Sequence, residues 1–291
     1  MDTSLNSLLK AALPTGRPEA AVLKLLADVG ITLDWGSRSY RPRISLEAVE
    51  VKRLKPRTVA EMLAAGLRDF GFTGADWAFE AGDQVIELCD TGLDKVRIVA
   101  AGPSAIADRP CSLKTPPLRV ASEYRRLTME WASRSGRLIS FIESRGTTEV
   151  FPPEDADVIV DAVSTGETLA ANNLREFDEV YCSSTRLFAS VAALNDPAKR
   201  PRLEDLSVMI KAACDARLRV MVELNSPAEK VDQILRILPA MRSPTISRLS
   251  VPEWFGIKTS VPRTDLPKLI PLIRRAGGVD LIVSQPYMVV P

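Results

Sequence analysis

Residues Val158 to Leu169 read VIVDAVSTGETL. An apolar run carries one acid, Asp161, and gives way to Ser164, Thr165, Gly166, Glu167 and Thr168. A loop at the carboxyl end of a strand, followed by a helix start, presents unpaired backbone N–H groups and the positive end of a dipole. The three hydroxyls add donors, and Gly166 lets the main chain approach an anion closely. Such a set suits a phosphate, and an acid at the strand end suits sugar hydroxyls. The segment therefore reads as a seat for a phosphorylated sugar. A plain strand-to-helix turn, with a Thr or Ser capping the helix, meets the same pattern equally well.

Other groupings also carry chemistry. Leu13-Pro14-Thr15-Gly16-Arg17 is a glycine turn ahead of a helical stretch, where Arg17 is either a phosphate contact or a surface arginine. Asp69, Gly71, Thr73, Gly74 and Asp76 form a second glycine-interrupted loop, whose plain reading makes Asp76 a helix-start acid. Glu149 follows Arg145 and Gly146 on a turn and could simply begin a helix. Arg41, Arg43, Lys52, Arg53 and Lys55 make a basic stretch, ordinarily a solvated strand face. Trp35, Trp77, Trp131 and Trp254 read as packing residues.

None of the 291 residues is histidine. That removes Ser-His-Asp and Cys-His catalysis, His-ligated zinc and imidazole as a base. Chemistry must rest on carboxylates, lysine, tyrosine, backbone dipoles or a metal on oxygen ligands. Lys+Arg total 38 against 37 Asp+Glu, so no overall field draws the chain to nucleic acid or a membrane surface. The four cysteines, Cys89, Cys111, Cys182 and Cys214, show no paired spacing. The first residues lack a secretory pattern, and no run of eighteen apolar residues occurs. These points set the expectation of a cytoplasmic protein with reduced thiols.

The elements that must position these residues follow from periodicity. Apolar positions predict a helix over Pro18–Val29, a strand over 48–54 and a helix over Thr58–Leu67, with Thr58 as N-cap and Glu61 as its capping-box partner. Strands are expected at 96–101, 118–121, 138–143, 157–163 and 181–190, with helices from about Arg125 to Ser135 and from Thr168. Strands alternating with helices, several of them continuous apolar runs, predict parallel sheets covered on both faces. Asn195–Leu206 is polar, carries two prolines and reads as a linker. Beyond it lie a strand at 219–225, a helix over Pro227–Leu238, strands ISRLSV and FGIKTSV, a helix over Thr264–Ala276 and a strand DLIVSQ. That tail has the β-α-β-β-α-β order of ferredoxin-like regulatory modules.

Several segments together resemble the ATP phosphoribosyltransferase family in its long form. DVIVDAVSTGETLAANNLRE resembles its signature, and ALPTGR its N-terminal phosphate-side turn. MLAAGLRDFGFTGADWAFE, RVASEY and GTTEVFP resemble three further family segments in the right order, and the tail with SPTISRLS resembles its regulatory domain. The resemblance implies condensation of ATP with 5-phosphoribosyl 1-diphosphate, with Mg2+ held mainly by substrate phosphates, as the first step of histidine biosynthesis. It implies two periplasmic-binding-protein-like lobes, 1–103 with 183–206 and 104–182, followed by an ACT-like domain over 207–291. Asp161 would meet the ribose, Ser164, Thr165, Gly166, Glu167, Thr168 and Leu169 the phosphoribosyl diphosphate. Arg17 and Glu149 would join Asp161 in catalysis. Gly16, Arg17, Arg53, Thr73, Gly74 and Asp76 would face the nucleotide. Histidine is the implied feedback inhibitor, with Glu223, Asn225, Ser243 and Thr245 as effector contacts, and the implied assembly is a homo-oligomer, dimer or hexamer. The family usually has lysine before the glycine of the first turn, and Thr15 stands there instead. Lys10, Arg53, Lys55 and Arg57 are the candidates to replace it. The departure keeps open a catalytically weak regulatory relative, and the two-lobed design a small-molecule binding protein.

Overall fold

The structure is a computed structural model that describes residues 7–35, 40–107, 116–164 and 166–290. The chain divides into two compact units. One takes residues up to Lys24 with Ile31–Ser207, the other Leu25–Gly30 with the chain from Val208.

The first unit runs β1 (Leu9–Pro14), α1 (Glu19–Asp28, whose end belongs to the other unit), β2 (Leu33–Asp34), β3 (Arg43–Ile44), β4 (Val49–Leu54), α2 (Pro56–Ala64), β5 (Phe70–Gly74) and α3 (Ala75–Ala81). It continues with β6 (Val85–Gly102), α4 (Ser104–Ala107), β7 (Leu118–Ser122), α5 (Arg125–Ser135), β8 (Ile139–Glu143), a 3-10 turn at Thr148–Val150, β9 (Val158–Val163), α6 (Glu167–Ala171), β10 (Arg175–Ser190) and α7 (Val191–Leu194). Among the described residues these strands make an eight-stranded sheet ordered β4-β1-β5-β10-β6-β9-β7-β8.

The expected parallel pairing holds only at the two ends of this sheet. β4, β1 and β5 are parallel, as are β9, β7 and β8. Between them β10 runs antiparallel to β5 and β6, and β6 antiparallel to β9. The sequence showed only the apolar parts of β6 and β10. Their remaining halves mix exposed charged residues with buried Val85, Cys89 and Val180, and are crossed by pairs such as Arg97–Glu176 and Arg186–Glu87. At about 3.3 Å per residue, 16 or more residues reach on the order of 50 Å, enough to serve both ends of the sheet.

Alternation explains the covering. Val99, Ala101, Ala121, Ile159 and Leu169 fill one face of the β6-β9-β7 region, while Ile98, Val120, Val160 and Trp131 fill the other. Glu80 of α3 accepts the Arg126 and Leu127 amides at 2.9 and 2.8 Å, capping α5, whose own N-cap Tyr124 makes no side-chain cap.

The starts of α2 and of the helix that follows α7 differ from expectation. α2 begins at Pro56, not Thr58, because proline's fixed φ suits the first turn and its missing N–H costs nothing there. Thr58 is therefore inside the helix, and Glu61 pairs with Arg57 at 2.9 Å instead of closing a capping box. Residues 200–206 are not a linker: they open α8 (Arg200–Leu218), with Pro201 tolerated in the first turn.

The second unit contains β11 (Arg219–Pro227), α9 (Val231–Leu235), β12 (Thr245–Arg248), β13 (Trp254–Pro262), α10 (Leu266–Arg275) and β14 (Val279–Ser284). The sheet is antiparallel in the order β12-β13-β11-β14, the ferredoxin-like arrangement. Val220, Val222 and Leu224 alternate inward and pack with Ile257, Ile234, Leu269 and Ile273. α9 is shorter than its apolar pattern suggested, since residues 228–230 form a 3-10 turn. α10 starts at Leu266 with Asp265 as its N-cap residue, not Thr264.

Candidate active site

Two adjoining cavities lie along the carboxyl ends of the parallel strands of the first unit. The smaller, about 230 Å³, is lined by Arg17, Glu149, Asp161, Ser164, Gly166 and Thr168, with backbone from 162–163 and Leu169. The larger, about 790 Å³, is lined by Gly16, Arg17, Lys55, Arg57, Gly74, Asp76, Trp77, Asp94, Glu123, Tyr124 and Arg145, among others. Arg17 and Ala162 line both, so the cavities share a wall.

In the smaller cavity, Asp161 leaves β9 half-buried, with its Oδ1 accepting the Ala162 amide at 2.7 Å. Burial raises its carboxyl to about 6; the Ala162 amide and the Thr148 hydroxyl lower it, while nearby Glu149 and Glu123 raise it further. Thr148 is itself held by the Ser144 hydroxyl at 2.9 Å. The acid is thus shifted toward its neutral form; ionised, both of its oxygens accept hydrogen bonds, and protonated, one of them becomes a donor. Gly166 has φ +81°, the left-handed conformation that turns the loop into α6.

The anion seat differs in one respect from expectation. α6 is five residues long, too short to sum a large dipole, so attraction for an anion must come from loop donors and Arg17. Ser164 and Thr168 are exposed to the cavity; Glu167 is exposed outside its lining, and the Leu169 side chain is core. Thr165 lies outside the described residues.

In the larger cavity, Gly74 ends β5 and Asp76 begins α3. The Ser183 hydroxyl of β10 donates to Asp76 Oδ1 at 2.6 Å and accepts the Asp76 amide at 3.2 Å. Tyr124 stacks on Trp77 with 4.6 Å between ring centroids, and its phenol lies near the Asp76 charge. Burial, then the Asp76 and Asp161 charges, hold the Tyr124 phenol far above its ordinary range, so it stays a donor. The Ser122 hydroxyl fixes the turn into α5 by accepting the Tyr124 amide at 2.9 Å and donating to the Val160 carbonyl at 2.5 Å. Arg57 lies over the Trp77 ring, 5.6 Å from its centroid.

Two expected nucleotide contacts stand apart. Thr73 is fully buried, its hydroxyl donated to the Pro56 carbonyl at 2.7 Å. Arg53 pairs with Glu19, stacks over Trp35 at 4.8 Å and lines a neighbouring basic groove with Tyr40, Arg41, Lys52 and Lys55. Conversely, Trp77 faces the cavity although it read as packing, and Tyr124, Ser183 and Asp94 received no role from the sequence. Only Tyr124 had a signal, its place in RVASEY.

Residues 55–212 match the family described as ATP phosphoribosyltransferase, and residues 216–285 match the HisG C-terminal domain. This chain belongs to the ATP phosphoribosyltransferase family. A relative from Pelodictyon phaeoclathratiforme, named ATP phosphoribosyltransferase, is 35% identical over 281 residues, covering 94% of this chain and 95% of that one. One of the same name from Pelotomaculum thermopropionicum is 34% identical over 292 residues, covering 97% and 99%. A solved structure titled as an ATP phosphoribosyl transferase (HisG:HisZ) complex from Thermotoga maritima is 25% identical with a TM-score of 0.60, covering 72% of this chain and 99% of that chain.

Membership in the ATP phosphoribosyltransferase family makes the chain a pentosyltransferase of the first step of histidine biosynthesis. The resemblance read from the motifs, the two-lobed α/β design and the ferredoxin-like C-terminal domain are all borne out. The binding-protein alternative falls with the same match. No described helix is long and apolar enough to cross a membrane.

Proposed function

We propose that the smaller cavity seats 5-phosphoribosyl 1-diphosphate and the larger one ATP, with Arg17 serving both. The observation carrying this reading is the shared wall: a polar pocket with an acid and hydroxyls opens beside a cleft walled by Trp77 and Tyr124. Asp161 accepts from the ribose hydroxyls, and Ser164 to Thr168 donate to the 5-phosphate. The adenine lies against Trp77 and Tyr124 near Gly16, Gly74 and Asp76. The bond from C1 of the sugar to diphosphate breaks as adenine N1 bonds to C1. Positive charge growing on the sugar is stabilised by the Asp161 and Glu149 carboxylates, and negative charge on the diphosphate by Arg17.

Among the described residues no cluster of three acidic or cysteine ligands could hold a metal alone. The cavities do offer carboxylate oxygens, the donor type Mg2+ takes beside substrate phosphates. Asp161 and Glu149 are the groups that would face it. Bound there, Mg2+ would neutralise the diphosphate as it leaves.

The second unit is read as an effector module for histidine. Glu223, Asn225 and Thr245 lie on its sheet and Ser243 just before β12. Glu223 pairs with Lys258 at 2.9 Å, and Asn225 donates to Asp280 at 2.9 Å, so polar groups of both signs are available to an amino acid. A cytoplasmic homo-oligomer, dimer or hexamer, completes the proposal.

Pyrophosphate release from ATP, 5-phosphoribosyl 1-diphosphate and Mg2+ tests the reading, with histidine added as the second arm. Turnover lost in Asp161→Ala and Thr168→Ala, with folding retained, supports it. Absence of turnover in every assembly state, with either substrate still bound, would favour the weak regulatory relative that Thr15 suggests. Sugar-phosphate binding that survives both substitutions would remove the loop assignment.

A further inference from the structure

The ladder between β6 and β10 breaks where it passes the larger cavity. Ser183 is matched to Val96 and Thr185 to Leu93, so Asp94 and Lys95 stand opposite Ser184 alone. This is a β-bulge, a device that re-aims a side chain beside a site. At the bulge Asp94 adopts φ +48°, a left-handed conformation that side chains other than glycine rarely take. Its carboxylate Oδ1 lies 2.7 Å from Arg17 Nε. Both residues line the larger cavity, and Arg17 also lines the smaller.

A pair with an arginine half exposed to water stabilises a fold little, while a left-handed aspartate costs stability. The contact therefore does not account for its own geometry. An acid is also a poor neighbour for two polyanionic substrates. The one service it can give is to hold the guanidinium until something more strongly charged arrives. Among the described residues Arg17 has no other ion-pair partner.

We propose that Asp94 is a positioning and specificity-determining residue: it is the resident counter-ion of Arg17, which a diphosphate displaces and a weaker anion does not. The bulge holds the carboxylate against the Nε edge of the guanidinium, parking it at the wall common to both cavities. A ligand carrying a diphosphate outcompetes a single carboxylate, and Arg17 then turns to it. Asp94 thereby raises the threshold for occupancy without taking part in bond breaking. This inference rests on reading Arg17 as the diphosphate contact.

The test is a cycle of Asp94→Asn, Arg17→Ala and the double variant. The readouts are pyrophosphate and inorganic phosphate binding by calorimetry, and steady-state kinetics in 5-phosphoribosyl 1-diphosphate. Removing one charge at contact distance should tighten pyrophosphate and lower KM about fivefold. The change in kcat should stay within about twofold, and inorganic phosphate should gain at least as much, shrinking the discrimination. With Arg17→Ala in place, Asp94→Asn should change nothing further. Asp94→Gly, which suits the left-handed backbone, should repeat the result and control for folding. Weaker pyrophosphate binding in Asp94→Asn and Asp94→Gly would overturn the proposal, as would an equal gain with Arg17 absent. If Arg17→Ala alone leaves both KM and pyrophosphate binding unchanged, the reading of Arg17 itself fails.

Discussion

Thr15 and Lys55 are the first residues beyond a parallel strand pair, β1 and β4, whose last register match joins Pro14 to Leu54. The Thr15 amide donates to the Leu54 carbonyl at 2.8 Å, which keeps the two chain exits side by side. Both line the larger cavity. Lys55 has no ion-pair partner among the described residues, whereas Arg53 is paired with Glu19 and Arg57 with Glu61. Lys55 is thus the best placed of the four cations to stand in for the lysine missing at Thr15. Lys55→Met should raise the KM for a phosphate-bearing substrate about tenfold, and adding Thr15→Lys should recover part of it. An unchanged KM in Lys55→Met would move that role to another cation.

Asp161 links stability to pH. Its folded-state carboxyl lies at about 6 because it is buried, above the ordinary 3.8. Between about pH 4 and 6 the folded chain holds a proton that the unfolded chain has released. Stability from this group is present below that window and is lost as pH rises through it. Asp161→Asn should flatten that slope and raise the unfolding midpoint at about pH 8, while activity falls. Sugar-phosphate binding, which uses the ionised form, should strengthen as pH rises through about 6. Melting curves and KM across that range check both, and an undiminished slope in Asp161→Asn would assign it to other groups.

Trp77 and Tyr124 form one wall of the larger cavity. Stacking of a base on an aromatic ring contributes about 1–3 kcal/mol. Trp77→Ala should therefore weaken ATP binding roughly tenfold or more, measured by calorimetry. Tyr124→Phe keeps the stack and removes only the phenol near Asp76, and should change stability in urea unfolding by less than about 1 kcal/mol. Equal ATP affinity in Trp77→Ala would place the base elsewhere.

Gly74 is required by a close approach. A Cβ there would overlap the Asp76 carboxylate and crowd Ser183. Gly74→Ala should push Asp76 away from the Ser183 hydroxyl and lower ATP binding and stability together. Ser183→Ala, which removes both hydrogen bonds to Asp76 and leaves the glycine, should cost about 1–2 kcal/mol and less activity. Similar losses from the two changes would show that the hydrogen bond, not the glycine, holds Asp76.

Lys199 reaches Asp69 at 2.9 Å, and Asp69, almost wholly buried, also accepts the Lys10 amide at 2.7 Å. Lys199→Met would leave a buried carboxylate with one partner fewer, at a cost of about 2 kcal/mol. The loss should show in chemical unfolding, and should shrink when Asp69→Asn is already in place. A loss of equal size in that background would mean that packing of the lysine stem, not charge, is what matters.

Local signals in the sequence translated well into local structure. β9 and its loop, α5, β4 and the β-α-β-β-α-β tail each lie close to their apolar periodicity, because period and breaker residues act within one element. Signals that span elements were weaker. Pro201 read as a linker residue because a proline inside a polar run looks the same whether it breaks a helix or begins one. The outer halves of β6 and β10 carried no clean strand pattern, since repeated register shifts in their ladder break the alternation of buried and exposed positions.

The residues of this chain by themselves determined its family, its two kinds of unit and the strand-to-loop run through Asp161, all encoded in short contiguous runs. The tertiary structure alone decided which side chains meet. Asp94 faces Arg17 where the ladder of β6 on β10 is bulged, and Ser183 holds Asp76 because β10 pairs with β5. Register is a property of two distant strands paired together, so neither strand's sequence contains it.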